Sequence, residues 1–236
     1  MEVIEAKERI RQLYLADTIP WICGYSGGKD STVTLQLVWE VLEALAPEQR
    51  HKPIHVISTD TGVEQPLVAA WAEHSLKRMT AVAGEKGLPI RAHRLHPEVK
   101  DSFWVNLIGR GYGSPQRAFR WCTNRLKIRP ANTFIQKATS QYGESIVVLG
   151  TRKAESANRK RTMERYEQKR IREWLSPNGS LPNSWVFSPI EVKWTPLSRQ
   201  NFDPQSVRLF SSLNGFVVTH VGRRPGGPSC QRESSP

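Results

Sequence analysis

The chain has 236 residues, enough for one main domain with a sizeable buried core. Its hydrophobic fraction of 38% and charged fraction of 24% are ordinary for a soluble globular protein and give no sign of disorder. The formal net charge of +12 is unusual. Such an excess attracts the phosphates of nucleotides or nucleic acid and acidic partners, although a basic soluble enzyme without a polyanion has the same composition.

Two further observations bear on the cellular compartment. No apolar run is long enough to span a bilayer, and the N-terminal stretch MEVIEAKERIRQLY lacks the apolar core of a signal peptide. The three cysteines, Cys23, Cys122 and Cys230, form no CxxC pair, so neither a disulfide framework nor a complete zinc site is expected. We therefore expect a cytoplasmic protein with no membrane partner.

Helical and strand patterns alternate through residue 150. Apolar residues at helical spacing predict four helices, at residues 2–16, 30–46, 63–83 and 124–140. Short apolar runs between turn residues predict four buried strands, at residues 21–25, 54–58, 89–95 and 145–149, the last of them final. This alternation predicts an α/β fold with an open, mostly parallel Rossmann-like sheet and helices on both faces.

Three segments fall outside that simple alternation. Residues 102–121 are rich in glycine, arginine and aromatic residues and predict a short helix followed by a functional loop. Pro130 kinks or restarts the helix predicted around it. Residues 153–174 predict a strongly basic helix.

A glycine-rich loop follows the first predicted strand and opens the next helix. There, free backbone N–H groups and the helix dipole favour an anion, and the glycines allow a close approach to phosphate oxygens. Hydroxyl groups and a lysine add donors and neutralise the charge of a leaving pyrophosphate. The predicted phosphate-binding residues are Ser26, Gly27, Gly28, Lys29, Asp30 and Ser31.

Asp30 has two interpretations that the sequence leaves open. An aspartate at the start of a helix commonly caps the helix. The same carboxylate can help to hold a magnesium ion that bridges phosphates. The alternative interpretation of the whole loop is an accidental glycine-rich turn without a binding role.

Two more loops follow predicted strands, at the edge where open parallel sheets bind ligands. Asp60 and Thr61 lie in the STDTG segment after the second strand. They either form part of the nucleotide site or form a turn that caps the next helix. Gly150 and Arg152 lie in the LGTRKAES segment after the fourth strand. An arginine there can bind phosphate with two parallel hydrogen bonds, whereas the alternative is a solvated charged helix start.

Cys122 stands out in the segment between the third and fourth strands. It lies among Arg117, Arg120, Arg125 and Lys127, a setting expected to favour the thiolate. A thiolate accepts sulfur or ligates an iron–sulfur cluster, whereas the alternative is an inert, buried small side chain.

These segments resemble a known family. SGGKDS is similar to the PP-loop of enzymes that cleave ATP between its α and β phosphates, and STDTG and GTRKAES resemble the corresponding segments of phosphoadenylylsulfate reductases. FWVNLIG at 103–109 and FRWCT at 119–123 resemble the DndC family, the sulfur-inserting subunits of DNA phosphorothioation systems. The resemblance runs along roughly residues 20–165 and implies an adenine nucleotide alpha hydrolase-like fold.

The resemblance also implies a function and a set of ligands. ATP and magnesium would bind at the carboxyl edge of the sheet, with Lys29, Asp30, Arg152 and Cys122 as catalytic residues. The acceptor would be DNA, a cysteine desulfurase would supply sulfur, and other phosphorothioation-complex subunits would be partners. The family is expected to carry a [4Fe–4S] cluster, for which Cys122 is the candidate ligand, but four thiolates exceed the three cysteines of this chain.

Two rival functions and one doubtful region complete the predictions. The rivals are a phosphoadenylylsulfate reductase, against which the lack of a C-terminal cysteine motif argues, and a non-catalytic assembly or DNA-binding subunit. The sequence leaves three interpretations of the basic segment 152–172 open: it contacts DNA, it is a solvated helix, or it docks partner subunits. We expect the PP-loop domain to span residues 1–190 and residues 191–236 to be an irregular tail, produced by truncation or a frameshift near residue 191.

Overall fold

The computed structural model describes residues 3–116, 119–153, 156–168 and 173–190. The predicted tail at 191–236 and its domain boundary lie outside these residues, and so do Arg117, Glu155 and residues 169–172 of the predicted basic helix.

Six strands in the described part of the chain form one sheet in the order β3-β2-β1-β4-β6-β5. They are β1 Trp21–Gly24, β2 Ile54–Thr59, β3 Ile90–Leu95, β4 Ser145–Val148, β5 Ser176–Pro177 and β6 Ser184–Phe187. All neighbouring strands are parallel except β5 and β6, which are antiparallel. The predicted α/β fold with an open, mostly parallel sheet is confirmed.

Helices cover both faces of the sheet, as predicted. They are α1 Val3–Ala16, α2 Lys29–Ala44, α3 Pro66–Glu85, α4 Arg129–Tyr142 and α5 Ala157–Glu167. Because side chains alternate along a strand, Trp21 and Cys23 of β1 join the core under α1, α2 and α3, whereas Ile22 packs in a second core with Ile135 of α4. No helix among the described residues is both long and apolar enough to cross a membrane.

The structure corrects three details of the prediction. The sheet does not end at β4, because β6 adds a parallel strand beside it. Of the predicted basic helix at 153–174, the described residues are α-helical over α5, and Trp174 lies in a turn with a φ of 65°. Pro130 occupies the first turn of α4, where a missing N–H costs nothing, so it restarts the helix rather than kinking it.

The order of the strands creates a crevice at the carboxyl end of β1. From β1 the chain continues to β2 and β3 on one side, and returns to β4 on the other side of β1. The loops after β1 and β4 therefore leave the sheet in opposite directions at adjacent strand ends. Ligands of open α/β sheets bind at such a switch point.

Candidate functional site

The glycine-rich loop at residues 26–31 leaves β1 and enters α2 at this crevice. Gly28 is the N-cap of α2 and makes no side-chain capping bond, and helix geometry leaves the N–H groups of the first turn without intrahelical acceptors. The hydroxyls of Ser26 and Ser31 lie 3.1 Å apart, and Ser31 Oγ donates to the Gly28 carbonyl at 2.8 Å. The loop thus presents N–H and O–H donors at one helix end.

Gly27 is required by both backbone conformation and packing. Its φ of +71° lies in the left-handed region, which side chains with a Cβ rarely adopt. A Cβ at this position would also lie 2.6 Å from Cζ3 of Trp71, an α3 side chain that packs on the loop. Trp71 was not predicted as a site residue, because its proximity to the loop depends on how α3 crosses the sheet.

Gly150 brings the loop after β4 against the start of α2. A Cβ on Gly150 would lie 2.5 Å from the carbonyl oxygen of Asp30 and 2.8 Å from the amide nitrogen of Ser31. Backbone atoms cannot swing aside as a flexible side chain does, so only glycine permits this approach. The two predicted phosphate-binding loops are therefore in direct contact.

Asp30 and Arg152 form an ion pair across this contact. Arg152 Nη2 donates to Asp30 Oδ2 at 2.9 Å, and both side chains are mostly buried. The Nε–H of Arg152 is buried and has no hydrogen-bond partner among the residues that the structure describes. A buried donor without an acceptor is costly, and a phosphate oxygen is the type of acceptor that arginine binds best.

Two alternative interpretations from the sequence are wrong. Asp30 does not cap α2, because the cap is Gly28 and the Asp30 carboxylate accepts from Arg152. Arg152 is not a solvated charge at a helix start, because its guanidinium is enclosed by the crevice. Lys29, the predicted lysine of the phosphate-binding loop, is exposed at the first position of α2.

Asp60 follows β2 and is held by two different donors. Its carboxylate accepts from the Gly62 N–H at 2.8 Å and pairs with Arg94 of β3. Burial alone would raise the pKa of Asp60, but the Gly62 N–H and the Arg94 guanidinium together lower that pKa below its usual value. Asp60 is therefore a carboxylate at neutral pH.

The surroundings of Asp60 correct one interpretation and add one residue. The segment forms a turn, as predicted, and Thr61 is buried, but neither residue caps α3, whose N-cap is Gln65. Arg94 was not predicted to reach this site. Its position at the carboxyl end of the third strand was the available signal.

Cys122 is half-buried and lies just before the π-helical segment Thr123–Ile128. The nearby guanidinium of Arg125 is directed at the Asp101 carboxylate and at the Tyr112 hydroxyl. Cys23 is fully buried in β1, and burial raises its pKa to about 12.

The residues present do not fit a [4Fe–4S] cluster held by this chain alone. Such a cluster takes four thiolates, and the whole chain has three cysteines. Within residues 3–116, 119–153, 156–168 and 173–190, no three His, Cys, Asp or Glu side chains come together as a metal site. Cys122 therefore remains a candidate sulfur acceptor only.

The basic helix α5 begins beside Arg152 but offsets part of its own charge. Ser156 caps it by accepting from the Arg159 N–H at 3.1 Å. Lys153 pairs with Glu167 at 2.5 Å, and Lys160 approaches Glu164 to 3.8 Å. The side chains of Arg161 and Arg165 are exposed. A contact between α5 and DNA remains a prediction.

A glycine-rich loop at the mouth of the central strand, closed by an arginine from the neighbouring strand's loop, defines a PP-loop nucleotide-binding domain. The family model described as the phosphoadenosine phosphosulfate reductase domain matches residues 20–210. The chain belongs to this family.

A protein relative and several solved structures are similar to the chain. An uncharacterized protein of Methanocaldococcus jannaschii is 35% identical over 151 residues, which are 64% of this chain and 26% of that protein. The chain therefore spans about a quarter of that relative's length.

Three solved structures show low identity. A phosphoadenylyl-sulfate reductase from Candida auris in a phosphate complex has a TM-score of 0.47 and 12% identity, over 87% of this chain and 78% of that chain. A U34-tRNA thiolase from Methanococcus maripaludis with its [4Fe–4S] cluster has a TM-score of 0.45 and 15% identity, over 89% of this chain and 64% of that chain. An NAD⁺ synthetase from Burkholderia pseudomallei has a TM-score of 0.43 and 14% identity, over 70% of this chain and 75% of that chain.

Proposed function

We propose that this chain cleaves ATP between the α and β phosphates and adenylates an oxygen of the DNA backbone, which sulfur then replaces. The nucleotide part rests on the buried Nε–H of Arg152, which has no partner within the described part of the chain and lies beside the loop that contains Gly27 and Gly28. The DNA acceptor rests on the resemblance of the 103–109 and 119–123 segments to the DndC family.

Each part of the loop has a task in this reaction. The first-turn N–H groups of α2 and the Ser26 hydroxyl bind the β and γ phosphates, and the Ser31 hydroxyl exchanges the Gly28 carbonyl for a phosphate oxygen when the nucleotide binds. Lys29 neutralises the charge that develops on the leaving pyrophosphate. The Nε–H of Arg152 donates to a phosphate oxygen, which satisfies the buried donor.

Asp30 fits one magnesium contact in this arrangement. Magnesium in nucleotide enzymes is usually held by one or two carboxylates together with the substrate phosphates, and Asp30 supplies one carboxylate beside the phosphate loop. When bound there, magnesium would offset phosphate charge. Asp60, kept ionised by Gly62 and Arg94, is the proposed acceptor for the adenosine part.

The proposed reaction consists of two displacement steps followed by a reduction. A DNA phosphate oxygen attacks the α phosphorus of ATP, and pyrophosphate leaves. The terminal sulfur of a persulfide, delivered by a cysteine desulfurase partner or carried on Cys122, then attacks the DNA phosphorus, and AMP leaves with the former DNA oxygen. A second thiol reduces the resulting S–S bond and leaves the sulfur on the DNA.

The test is exchange of labelled pyrophosphate into ATP by the purified chain, with and without DNA and partner subunits. Removal of one electrostatic donor to a transition state lowers rates on the order of 100-fold or more, so we expect that loss for Lys29→Ala. The control is Lys86→Ala, because Lys86 pairs with Glu43 near the opposite end of the sheet. Unchanged DNA phosphorothioate content in cells that carry Lys29→Ala would instead favour a non-catalytic subunit.

A reductase of phosphoadenylylsulfate is the second candidate, favoured by the family match to residues 20–210. In that reaction a thiol would take the sulfonate from the nucleotide, and thioredoxin would release sulfite. Sulfite release from phosphoadenylylsulfate, without pyrophosphate exchange into ATP, would select this activity.

A further inference from the structure

Five aromatic rings form a continuous chain in the segment between β3 and α4. The order of contact is Trp104, Phe103, Trp121, Tyr112 and Phe119, with ring centroids 5.2, 5.4, 5.5 and 6.4 Å apart. We call these five residues the aromatic platform. All five members lie within residues 103–121, in the connection between β3 and α4, so the folding of this one segment brings them together.

The two ends of the platform face solvent, whereas its centre is fixed. Trp104 is 57% exposed and Phe119 is 50% exposed, but Trp121 is only 7% exposed. Trp121 Nε1 donates to the Gly113 carbonyl at 3.0 Å, and the guanidinium of Arg125 lies 5.2 Å from the centroid of the Tyr112 ring. The exposed rings are therefore held in place before any ligand arrives.

The surface around the platform carries positive charge. Between residues 99 and 129, the described residues include six basic side chains and a single acidic one, Asp101. Asp101 is buried, and its carboxylate is bound by Arg125 and by Arg129, the latter at 2.9 Å. Arginines cover this acid, while Lys100 pairs with exposed Glu98 and Lys127 lies 3.9 Å from Glu64, so the charge that faces solvent has a cationic excess.

A basic groove extends from this surface toward the sheet edge. It has a volume of about 540 Å³, and its charged lining is mostly cationic. The cationic and histidine side chains of the lining are Arg94, His96, Lys100, Arg125, Arg129 and Lys137. Arg125 thus belongs to both the groove and the platform, while Arg94 pairs with Asp60 of the candidate nucleotide site.

A second contact places the platform segment near the same edge. Lys127 lies in the π-helical segment that follows Trp121, and its Nζ is 3.9 Å from Glu64 in the loop after β2. A ligand that lies across the platform and groove is therefore directed toward the loops at the carboxyl ends of the strands.

We propose that the aromatic platform and the basic groove bind a nucleic-acid strand with unpaired bases. Bases stack on Trp104 and Phe119, and the phosphates follow the groove. This inference rests on the proposed function for the identity of the polymer. It differs in the surface used, because the sequence had suggested the basic helix as the DNA contact.

The combination of rings and cations favours a single strand over the other partners. Surfaces that bind single strands pair a cationic groove with exposed rings on which bases stack. A duplex hides the faces of its bases, so it cannot use Trp104 and Phe119. A protein partner would leave a predominantly cationic groove unmatched unless that partner were strongly acidic.

The test measures binding of a fluorescently labelled 16-nucleotide strand by anisotropy, without ATP. Because stacking of one base on one ring typically changes affinity on the order of ten-fold, we expect about that loss for Trp104→Ala and again for Phe119→Ala. Tyr142→Ala removes an exposed ring of α4 outside the platform and should bind as the parent does. An abasic strand of equal length should bind the parent as weakly as the normal strand binds the ring variants.

The charge component has its own measurement. Lys137→Ala and Arg129→Ala should each weaken binding and reduce the dependence of log Kd on log salt, because each removes a phosphate contact. Arg11→Ala on the exposed surface of α1 is the matched control and should change neither quantity. Circular dichroism of each variant checks that the fold is retained.

The failures of the two proposals are separable. If Trp104→Ala and Phe119→Ala bind the strand as tightly as the parent does, or if duplex and abasic strands bind equally well, the platform proposal is overturned, whatever the pyrophosphate exchange shows. The platform proposal is also overturned if, in pull-downs, Trp104→Ala and Phe119→Ala lose binding to a protein partner but keep their binding to the strand. Lack of pyrophosphate exchange by the parent protein contradicts the proposed function and leaves the binding result standing.

Discussion

The substitution Gly150→Ala tests whether the two phosphate-binding loops are in contact. The added Cβ would lie 2.5 Å from the Asp30 carbonyl oxygen, 2.6 Å from its carbonyl carbon and 2.8 Å from the Ser31 amide nitrogen. All three are backbone atoms at the start of α2, so the loop after β4 and the helix must move apart. Overpacking of this kind costs about 1–3 kcal/mol of unfolding free energy.

Two assays follow from that displacement. In a domain of this size, 1 kcal/mol shifts the Tm by roughly 2–4 °C, so we expect Gly150→Ala to melt about 2–12 °C below the parent. Pyrophosphate exchange should fall on the order of 100-fold, because a shift of about 1 Å in phosphate-binding groups has effects of that size.

Gly84→Ala is the matched control for Gly150→Ala. Gly84 lies in α3, and nothing lies within 4 Å of an added Cβ there. Since alanine is the better helix former, this variant should be as stable as the parent or up to about 1 kcal/mol more stable. If Gly150→Ala melts at the parent's temperature and retains full exchange, the loops are not in the contact described here.

Two further predictions concern stability. Burial lowers the pKa values of His55 and His93, whose Nδ1 and Nε2 lie 3.0 Å apart; the charge of His93 lowers the pKa of His55 further, and Arg91 lowers both. The unfolded chain therefore binds more protons, so stability should be full above about pH 6.5 and fall as the pH drops below it. Melting at pH 8 and pH 5.5 should show a smaller difference for His93→Gln than for the parent, and an equal difference would contradict the assignment. Lys52→Met removes the buried ammonium that lies 2.7 Å from Asp17, so we expect the free energy of unfolding in urea to fall by about 3 kcal/mol. Lys77→Met, which breaks an exposed ion pair, should change that free energy little.

The local sequence was sufficient for the elements whose signals are local. Strand β1, the glycine-rich loop and the start of α2 follow one another within residues 21–31, so apolar runs, glycines and helix spacing locate them. The same holds for β2, β3 and β4. Strand β6 was missed because the middle of Ser184–Phe187 is partly exposed and the strand follows the region of regular alternation, so its identity as a strand comes from pairing with β4.

Only the tertiary structure decided which candidate residues meet. Asp30 and Arg152 are 122 positions apart and form an ion pair because β1 and β4, distant in sequence, are neighbours in the sheet. Arg94 reaches Asp60 for the same reason, through the pairing of β2 with β3. Local composition specifies elements and turns, whereas strand order depends on how the whole chain buries its apolar faces, and that order assembled the candidate site.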